Sequence, residues 1–236
     1  RTAATSGMAD CQIKMQRTPM VASQTETFPS WPSAGRWVAY LKFLGLFCVT
    51  FFPVYILCGQ FTAWSGRATD LHLDWERGIP LIPHMIWFYL SLYSVFLLPL
   101  VHFDETRLAR LSRQSVLTIL VAGLVFLVLP ARSGFPASEI NGQVATVFKT
   151  LHSLDSPYNL VPSLHVAFAV LLLQACRETA GRLLAMVYLI WLALLAASTV
   201  LVHQHHILDV VSGMVLAIAV RRAIPLNQPP SRAGAW

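Results

Sequence analysis

Charged residues are scarce in this sequence. Asp, Glu, Lys and Arg together make up 12% of the 236 residues, whereas roughly a quarter of a soluble domain is charged. Hydrophobic residues make up 56% of the chain. This balance excludes an ordinary soluble domain and predicts an integral membrane protein.

Cysteine is also rare, and no two cysteines form a C-x-x-C pair. The sequence therefore predicts neither a disulfide framework nor a zinc knuckle. Cys48, Cys58 and Cys176 lie in apolar runs, and we expect all three to be small core residues. The net charge is +6, but the basic residues stand singly or in pairs beside apolar segments. That distribution is typical of topology determinants, so we predict no nucleic-acid partner.

Six apolar segments are separated by polar loops, and they predict an all-α, polytopic bundle of six transmembrane helices within residues 37–224. Prolines 53, 80, 83 and 99 are expected to kink or delimit the first two helices. Residues 1–36 have no apolar core of signal-peptide length. We expect them to be mobile or to lie at the membrane interface, and residues 225–236 to form a cytoplasmic tail. The six segments are 37–58, 79–103, 115–130, 162–176, 183–202 and 207–220.

Basic residues are unevenly divided among the loops. They gather before the first segment, between the second and third, around 177–182 and after the sixth. The positive-inside rule then predicts cytoplasmic termini, with Asp74, Arg132 and His205 on the opposite side. The other loops hold only Arg67, Arg77, Arg132 and Lys149.

The stretch HQHHILD begins the sixth segment and concentrates polar side chains beside the membrane. His205 and Asp209 are four residues apart, so they share a face if the helix begins near them. A carboxylate that accepts the Nδ1 proton of an imidazole fixes its tautomer and leaves Nε2 as a nucleophile toward phosphorus. Helical geometry turns His203 and His206 away from this face, and we predict that they are interfacial neighbours.

A second histidine is placed to act with this pair. His165, in PSLHVA, lies on the same predicted membrane side and could protonate a departing alkoxide. Arg132, Lys149 and Ser163 are candidate phosphate ligands, although Ser163 equally suits a helix N-cap. Ser198 could contact the phosphate or bond back to its own helix.

Together these motifs resemble the phosphatidic acid phosphatase type 2 (PAP2) superfamily of membrane lipid phosphatases and phosphotransferases. Pro162, Ser163 and His165 match its Ser-x-His motif. Ser198, His205 and Asp209 match the spacing of its Ser-Arg…His…Asp motif. The resemblance covers about residues 129–220. It implies six helices, His205 as nucleophile, Asp209 as its orienting partner, His165 as the acid, and a mechanism without metal or cofactor.

Two positions depart from the superfamily pattern. Thr199 stands where its phosphatases usually carry Arg, which is more similar to the inositol phosphorylceramide and sphingomyelin synthase branch. The usual first motif, Lys followed by Arg-Pro, is missing in its standard form, and Arg132 in LPARSGFP is the expected substitute.

The resemblance implies a lipid phosphatase, with lipid phospho-headgroup transfer as the alternative. The expected partners are a lipid phosphate substrate and membrane lipids. SPYNLVPSLHVA is similar to bacterial domains of this superfamily, so we expect a bacterial inner membrane with the active site on the periplasmic or extracellular side. A metal-dependent oxygenase and a non-enzymatic transporter are weaker alternatives. An oxygenase would need several histidine boxes, and the sequence has one HxHH cluster. A transporter typically has an inverted repeat, and none is evident.

Overall fold

The first helix is delimited by a capping residue at each end. The computed structural model describes residues 31–135 and 140–227, and most of them are helical. Helix α1, Ala34–Ser65, begins where the Ser33 hydroxyl accepts the N–H of Arg36 at 3.2 Å. It ends at Gly66, whose φ of 65° requires the left-handed conformation that glycine adopts readily. The helix continues through Pro53, so these caps, rather than the proline, delimit it.

The second apolar segment, 79–103, is not one helix: it is interrupted near Pro83 and Pro99, where prolines are expected to kink or delimit it, and also at Ser91. The Ser91 hydroxyl bonds the carbonyl of Phe88 at 2.6 Å, which competes with the helical ladder. Pro99 has no N–H to donate to the preceding turn. The chain therefore folds into short pieces: the 3₁₀ helix Pro83–Met85, α2 Ile86–Leu90, α3 Leu92–Val95 and α4 Leu98–His102.

Helix α5, Glu105–Val128, begins ten residues before its predicted start. The Asp104 carboxylate caps it by accepting the N–H of Arg107 at 2.8 Å. The first turns of α5 contain Arg107, Arg110 and Arg113, so they lie outside the apolar run 115–130 that predicts this helix. Helix α5 packs along α1, and Gly123 allows the close approach because a side chain there would meet Val54 of α1.

Helix α6, Val144–Leu154, lies in a region where no helix was predicted. Its apolar residues Val144, Phe148 and Leu151 are buried against Ile86 and Tyr89 of α2. They are three or four residues apart and therefore share one face. A search for long apolar runs passes over so short an amphipathic helix.

Three helices near the end of the chain bring the sequence motifs together. Helix α7, Leu164–Arg177, is almost entirely buried and packs against both α8, Arg182–Leu201, and α9, Ile207–Ala223. Because α7 and α8 are antiparallel, the start of α7, the end of α8 and the start of α9 meet at one end of the bundle. We call this the site end.

Basic residues gather at the opposite end. Arg221, near the end of α9, forms an ion pair with Glu178 in the turn after α7. Arg110, near the start of α5, donates to the carbonyl of Leu226 at 3.0 Å. The charge asymmetry of the sequence thus corresponds to two ends of the fold.

Two short strands join the loops that follow α1 and α5. Strand β1, Thr69–Asp70, pairs in parallel with β2, Ala131–Arg132. The first of these loops continues into the 3₁₀ helix Asp74–Gly78. These strands are minor, and the predicted all-α fold is confirmed.

Three described helices, α1, α5 and α8, are long and apolar enough to cross a membrane, and α7 is a shorter apolar helix. The chain is therefore an all-α membrane protein, while the number of six crossings stays a prediction. Cys58 and Cys176 are buried, but Cys48 is exposed on α1, so the expectation that it is a core residue is wrong. The predictions for residues 1–30 and for residues 228–236 fall outside the described residues.

Candidate active site

His205 and Asp209 lie side by side and are buried at the site end. The Nδ1 atom of His205 is 3.3 Å from Oδ2 of Asp209. Asp209 is the third residue of α9, whereas His205 precedes the helix, so the pair meets across the helix start rather than along one face. An ionised carboxylate only accepts, so Nδ1 carries the proton and Nε2 keeps its lone pair.

Thr199 holds the turn that presents His205. Its carbonyl accepts the N–H groups of both Gln204 and His205 at 3.0 Å. Its hydroxyl donates to the carbonyl of Ala196 at 2.8 Å, and the side chain is fully buried. The position at which the motif usually has Arg therefore serves the backbone of the α8–α9 turn.

His206 is a buried structural member of the site rather than an interfacial neighbour. Its backbone N–H donates to Oδ2 of Asp209 at 2.8 Å, the same oxygen that His205 contacts. Its ring lies between Oε2 of Glu76, 2.6 Å from Nδ1, and the N–H of Gly134, 3.0 Å from Nε2. Because the Gly134 N–H must donate, Nε2 is unprotonated, and Nδ1–H donates to Glu76. Burial lowers the pKa of His206, with Glu76 opposing that shift.

Aromatic stacking fixes the loops around His206. The ring of Phe135 stacks on His206 at 4.1 Å and on His203 at 4.0 Å between centroids. His203 has a φ of 59°, and its Nε2–H donates to the carbonyl of Ile79 at 3.0 Å. Burial lowers the pKa of His203. The rings of both histidines hydrogen bond residues other than His205 and Asp209, but His206 is buried within the site instead of lying at the interface, because α9 begins after it.

His165 is held by Tyr89 of α2. Its Nε2–H donates to the Tyr89 carbonyl at 2.7 Å, and the two rings stack at 3.9 Å. This contact leaves Nδ1 as the nitrogen available for proton transfer. The Ser163 N–H donates to the carbonyl of Asp209, so His165 and His205 lie at the same end of the bundle.

Asp155 supports Tyr89 from behind. Its Oδ2 accepts the Tyr89 hydroxyl at 3.2 Å, and its Oδ1 accepts the hydroxyl of Tyr55 on α1. The side chain thus ties α1, α2 and the segment leading to PSLH into one network. His165 is connected to this network through Tyr89.

Direct backbone contact joins the two sequence motifs. The N–H of Ser163 donates to the carbonyl of Asp209 at 3.0 Å. Gly213, one turn along α9, makes this approach possible, because a Cβ there would lie 2.5 Å from the Ser163 carbonyl oxygen. His165 and His205, which are 40 residues apart in sequence, are thereby held at the same end of the bundle.

Comparison with known families gives this arrangement its context. The model of the PAP2 superfamily matches residues 69–223, which include every residue of the site described so far except Tyr55. The chain belongs to the PAP2 superfamily. No curated protein and no solved structure matches it. The resemblance drawn from the motifs is therefore confirmed at the level of the superfamily, whose members are phosphatases or phosphotransferases.

The predicted phosphate ligands of this PAP2 chain lie in different surroundings. Arg132 forms a bidentate ion pair with Asp70, with N–O distances of 2.8 and 2.7 Å, and both side chains are about half exposed. This pair lowers the pKa of Asp70 and raises that of Arg132. Lys149 is exposed on α6 and bonds none of His165, His205 and Asp209.

The two serines are occupied by their own helices. The Ser163 hydroxyl accepts the N–H of Val166 at 3.3 Å as the N-cap of α7. The Ser198 hydroxyl donates to the carbonyl of Leu195 at 2.6 Å, and both serines are fully buried. Of the alternatives raised by the sequence, these contacts correspond to capping and back-bonding.

Sequence reasoning missed three side chains of this site: Glu76, Tyr89 and Asp155. Glu76 lies in DWERG, where its neighbours Asp74 and Arg77 are exposed, so no pattern separates it from a solvated charge. Across residues 31–135 and 140–227, no group of three or more His, Cys, Asp or Glu side chains is arranged to hold a metal ion. The site histidines His165, His203, His205 and His206 contact carboxylates, backbone groups and aromatic rings.

Proposed function

We propose that this PAP2 protein dephosphorylates a lipid phosphate through a phosphohistidine formed on His205. One observation carries the proposal: two imidazoles with complementary free nitrogens lie at the adjoining starts of α7 and α9, which the bond from the Ser163 N–H to the Asp209 carbonyl holds together. Nε2 of His205 is free because Nδ1 faces Asp209, and Nδ1 of His165 is free because Nε2 bonds Tyr89. A nucleophile and an acid are the two groups that this reaction requires.

The reaction has two displacement steps. Nε2 of His205 attacks phosphorus, the bond from phosphorus to the lipid oxygen breaks, and the imidazolium of His165 donates its Nδ1 proton to that oxygen. Neutral His165 then removes a proton from water, which attacks the phosphohistidine and releases phosphate and free His205. Asp209 holds the tautomer of His205 and stabilises the positive charge that develops on its ring.

Phosphate charge is balanced partly by the backbone. Helices α7 and α9 both direct their N-termini at the site, and helix N-termini favour anions. In this proposal Arg132 binds the phosphate through the guanidinium N–H groups that Asp70 leaves unused, or exchanges Asp70 for the substrate. Ser163, Ser198 and Lys149 are weaker candidates, given the contacts described above.

The orientation follows from the charge asymmetry of the two ends. The end with Arg110 and Arg221 faces the cytoplasm, together with both termini, and His205 faces the periplasm or the extracellular space. The proposed location is a bacterial inner membrane. No metal or cofactor takes part in the proposed steps.

Transfer of a phospho-headgroup to a second lipid is the other candidate function, and Thr199 favours it. A lipid hydroxyl would then replace water in the second step, as in the inositol phosphorylceramide and sphingomyelin synthase type. Thr199 provides no cation to a phosphate, unlike the Arg usual in phosphatases of the superfamily.

A panel of labelled lipid phosphates, each with and without an acceptor alcohol, tests both candidates. Purified protein should release inorganic phosphate from phosphatidic acid, phosphatidylglycerol phosphate or a polyprenyl phosphate. Label recovered in a second lipid would instead establish transfer. His205→Ala should lose either activity, whereas His84→Ala, at an exposed histidine, is the matched control. Near-normal turnover in His205→Ala would refute the assignment.

A further inference from the structure

A buried carboxylate outside the catalytic trio contacts the residue next to the nucleophile. Glu76 is fully buried, and its Oε2 lies 2.6 Å from Nδ1 of His206. An ionised side chain is costly to bury unless it is paired and hydrogen bonded. Within residues 31–135 and 140–227, the side chain of Glu76 hydrogen bonds His206 alone.

The ring of His206 is fixed at both nitrogens. Glu76 accepts from Nδ1–H, and the Gly134 N–H donates to Nε2. The ring of Phe135 stacks on the ring of His206, and the ring of His72 also stacks on it, with 4.9 Å between centroids. Hydrogen bonds at both nitrogens restrict the rotation of the ring and, through it, the position of the His206 backbone.

The backbone of His206 in turn fixes the carboxylate that orients the nucleophile. Its N–H donates to Oδ2 of Asp209 at 2.8 Å, and this same oxygen lies 3.3 Å from Nδ1 of His205. Any rotation of the His206 peptide would move Oδ2 relative to the imidazole of His205. The path therefore runs from Glu76 through His206 and Asp209 to His205.

We propose that Glu76 and His206 form a positioning pair that aims Nε2 of His205 by fixing Asp209. Neither residue needs to touch the substrate. The loop of β1 and the loop of β2, which carry Glu76 and Gly134, thereby take part in orienting a nucleophile on the α8–α9 turn. The proposal rests on the proposed function of His205.

Kinetics of substitutions provide the first test. Glu76→Ala and His206→Ala should each lower kcat roughly 10- to 100-fold with little change in KM, which is the range for partners that orient a functional ligand. The double variant should be no slower than the slower single variant, because both act through one path. Glu76→Gln should recover most of the rate, since its amide oxygen can accept from Nδ1–H. Asp74→Ala, an exposed acid in the same 3₁₀ helix, should match the parent.

NMR of ¹⁵N-histidine-labelled protein in detergent provides a test that does not need turnover. His205 should be one Nδ1–H tautomer in the parent and in Glu76→Gln, and a mixture of tautomers in Glu76→Ala; His205→Gln assigns its signal. A parent-like kcat and a single tautomer in a folded Glu76→Ala protein would overturn the proposal, as would an equal loss in Glu76→Gln and Glu76→Ala. If Glu76→Ala does not fold, the comparison of Glu76→Gln with His206→Ala decides in the same way. Failure of the proposed function has a different signature, namely an active His205→Ala protein.

Discussion

Oδ2 of Asp209 receives two contacts from neighbouring residues, Nδ1 of His205 at 3.3 Å and the backbone N–H of His206 at 2.8 Å. The shorter contact anchors the carboxylate, and the longer one directs the imidazole. Catalytic hydrogen bonds often shorten only when the substrate is bound. The backbone of His206 therefore holds the same oxygen of Asp209 that faces the imidazole of His205.

Replacement of this carboxylate tests its role. Asp209→Asn should lower turnover on the order of 10²–10⁴-fold, because the tautomer of His205 is no longer selected. His205→Ala should lose phosphohistidine formation altogether. Trapping of ³²P on the protein as an adduct that is stable to base and labile to acid measures phosphohistidine formation in both variants, and Asp74→Asn is the matched control. A loss of less than about threefold in Asp209→Asn would remove it from the mechanism.

The network behind His165 predicts a dependence on the leaving group. Asp155→Ala frees the hydroxyl of Tyr89 and loosens the stack on His165. Hydrolysis of an alkyl phosphate, whose leaving oxygen needs a proton, should slow about tenfold or more, while an aryl phosphate with a good leaving group should be much less affected. A His165→Ala variant should show the same selectivity more strongly. Equal slowing of both substrates in Asp155→Ala would mean that Asp155 does not act through His165.

Arg132 and Asp70 can be separated by comparing their variants. If Arg132 binds the phosphate, Arg132→Ala should raise KM, whereas Asp70→Ala should leave it unchanged or lower it by releasing the guanidinium. Equal effects of both substitutions would assign the pair to linking β1 and β2. Lys149→Ala completes the series, and a rise in KM there alone would transfer the phosphate contact to α6.

The depressed pKa values of His203 and His206 predict acid sensitivity. Both groups are held neutral by burial in the folded protein, whereas they protonate near pH 6.5 when unfolded. The unfolded state then binds more protons, so the free energy of unfolding falls as the pH drops below about 6.5. Thermal unfolding in detergent from pH 8 to pH 5 should show this fall. His203→Asn should make this fall smaller, because it removes one of the two titrating groups. Asn is chosen because it tolerates the positive φ at this position. His84→Ala should not change the fall.

Gly213 should tolerate no side chain. A Cβ there would meet the Ser163 carbonyl at 2.5 Å, and such overpacking costs about 1–3 kcal/mol. Gly213→Ala should lower both thermal stability and turnover, because it separates the two catalytic motifs. Gly45→Ala on α1, where nothing lies within 4 Å of the added Cβ, should be neutral or slightly stabilising. Full activity in Gly213→Ala would show that the motifs do not need this contact.

Much of the fold and part of the site could be predicted from the sequence. Apolar runs located α1, α5, α7, α8 and α9, because membrane helices require such runs. The boundaries differed where polar caps such as Ser33 and Asp104 decide them. The break near Pro99 follows from the proline itself. The amphipathic α6 and the break at Ser91 depend on packing and local hydrogen bonds that no run of hydrophobic residues reveals.

The catalytic candidates could be predicted from the sequence because their motifs are local. His205 and Asp209 are close in sequence, and His165 lies in a recognisable motif. Glu76 and Asp155 act across 130 and 66 residues, on His206 and Tyr89 respectively, so their contacts exist only in the folded chain. Arg132 was predicted to bind a phosphate, but the sequence does not reveal that its guanidinium is paired with the carboxylate of Asp70.

The hydrogen bond from Ser163 to Asp209 has a consequence for the connectivity of the protein. It joins the motifs at the site end, whereas the turn 178–181 between α7 and α8 lies at the far end and holds no catalytic candidate. The chain can therefore be divided at that turn into two complementary fragments, one carrying His165 and the other carrying His205 with Asp209. Co-expressed in one membrane, where preformed helices associate side by side, the fragments should reassemble into an enzyme that neither can form alone.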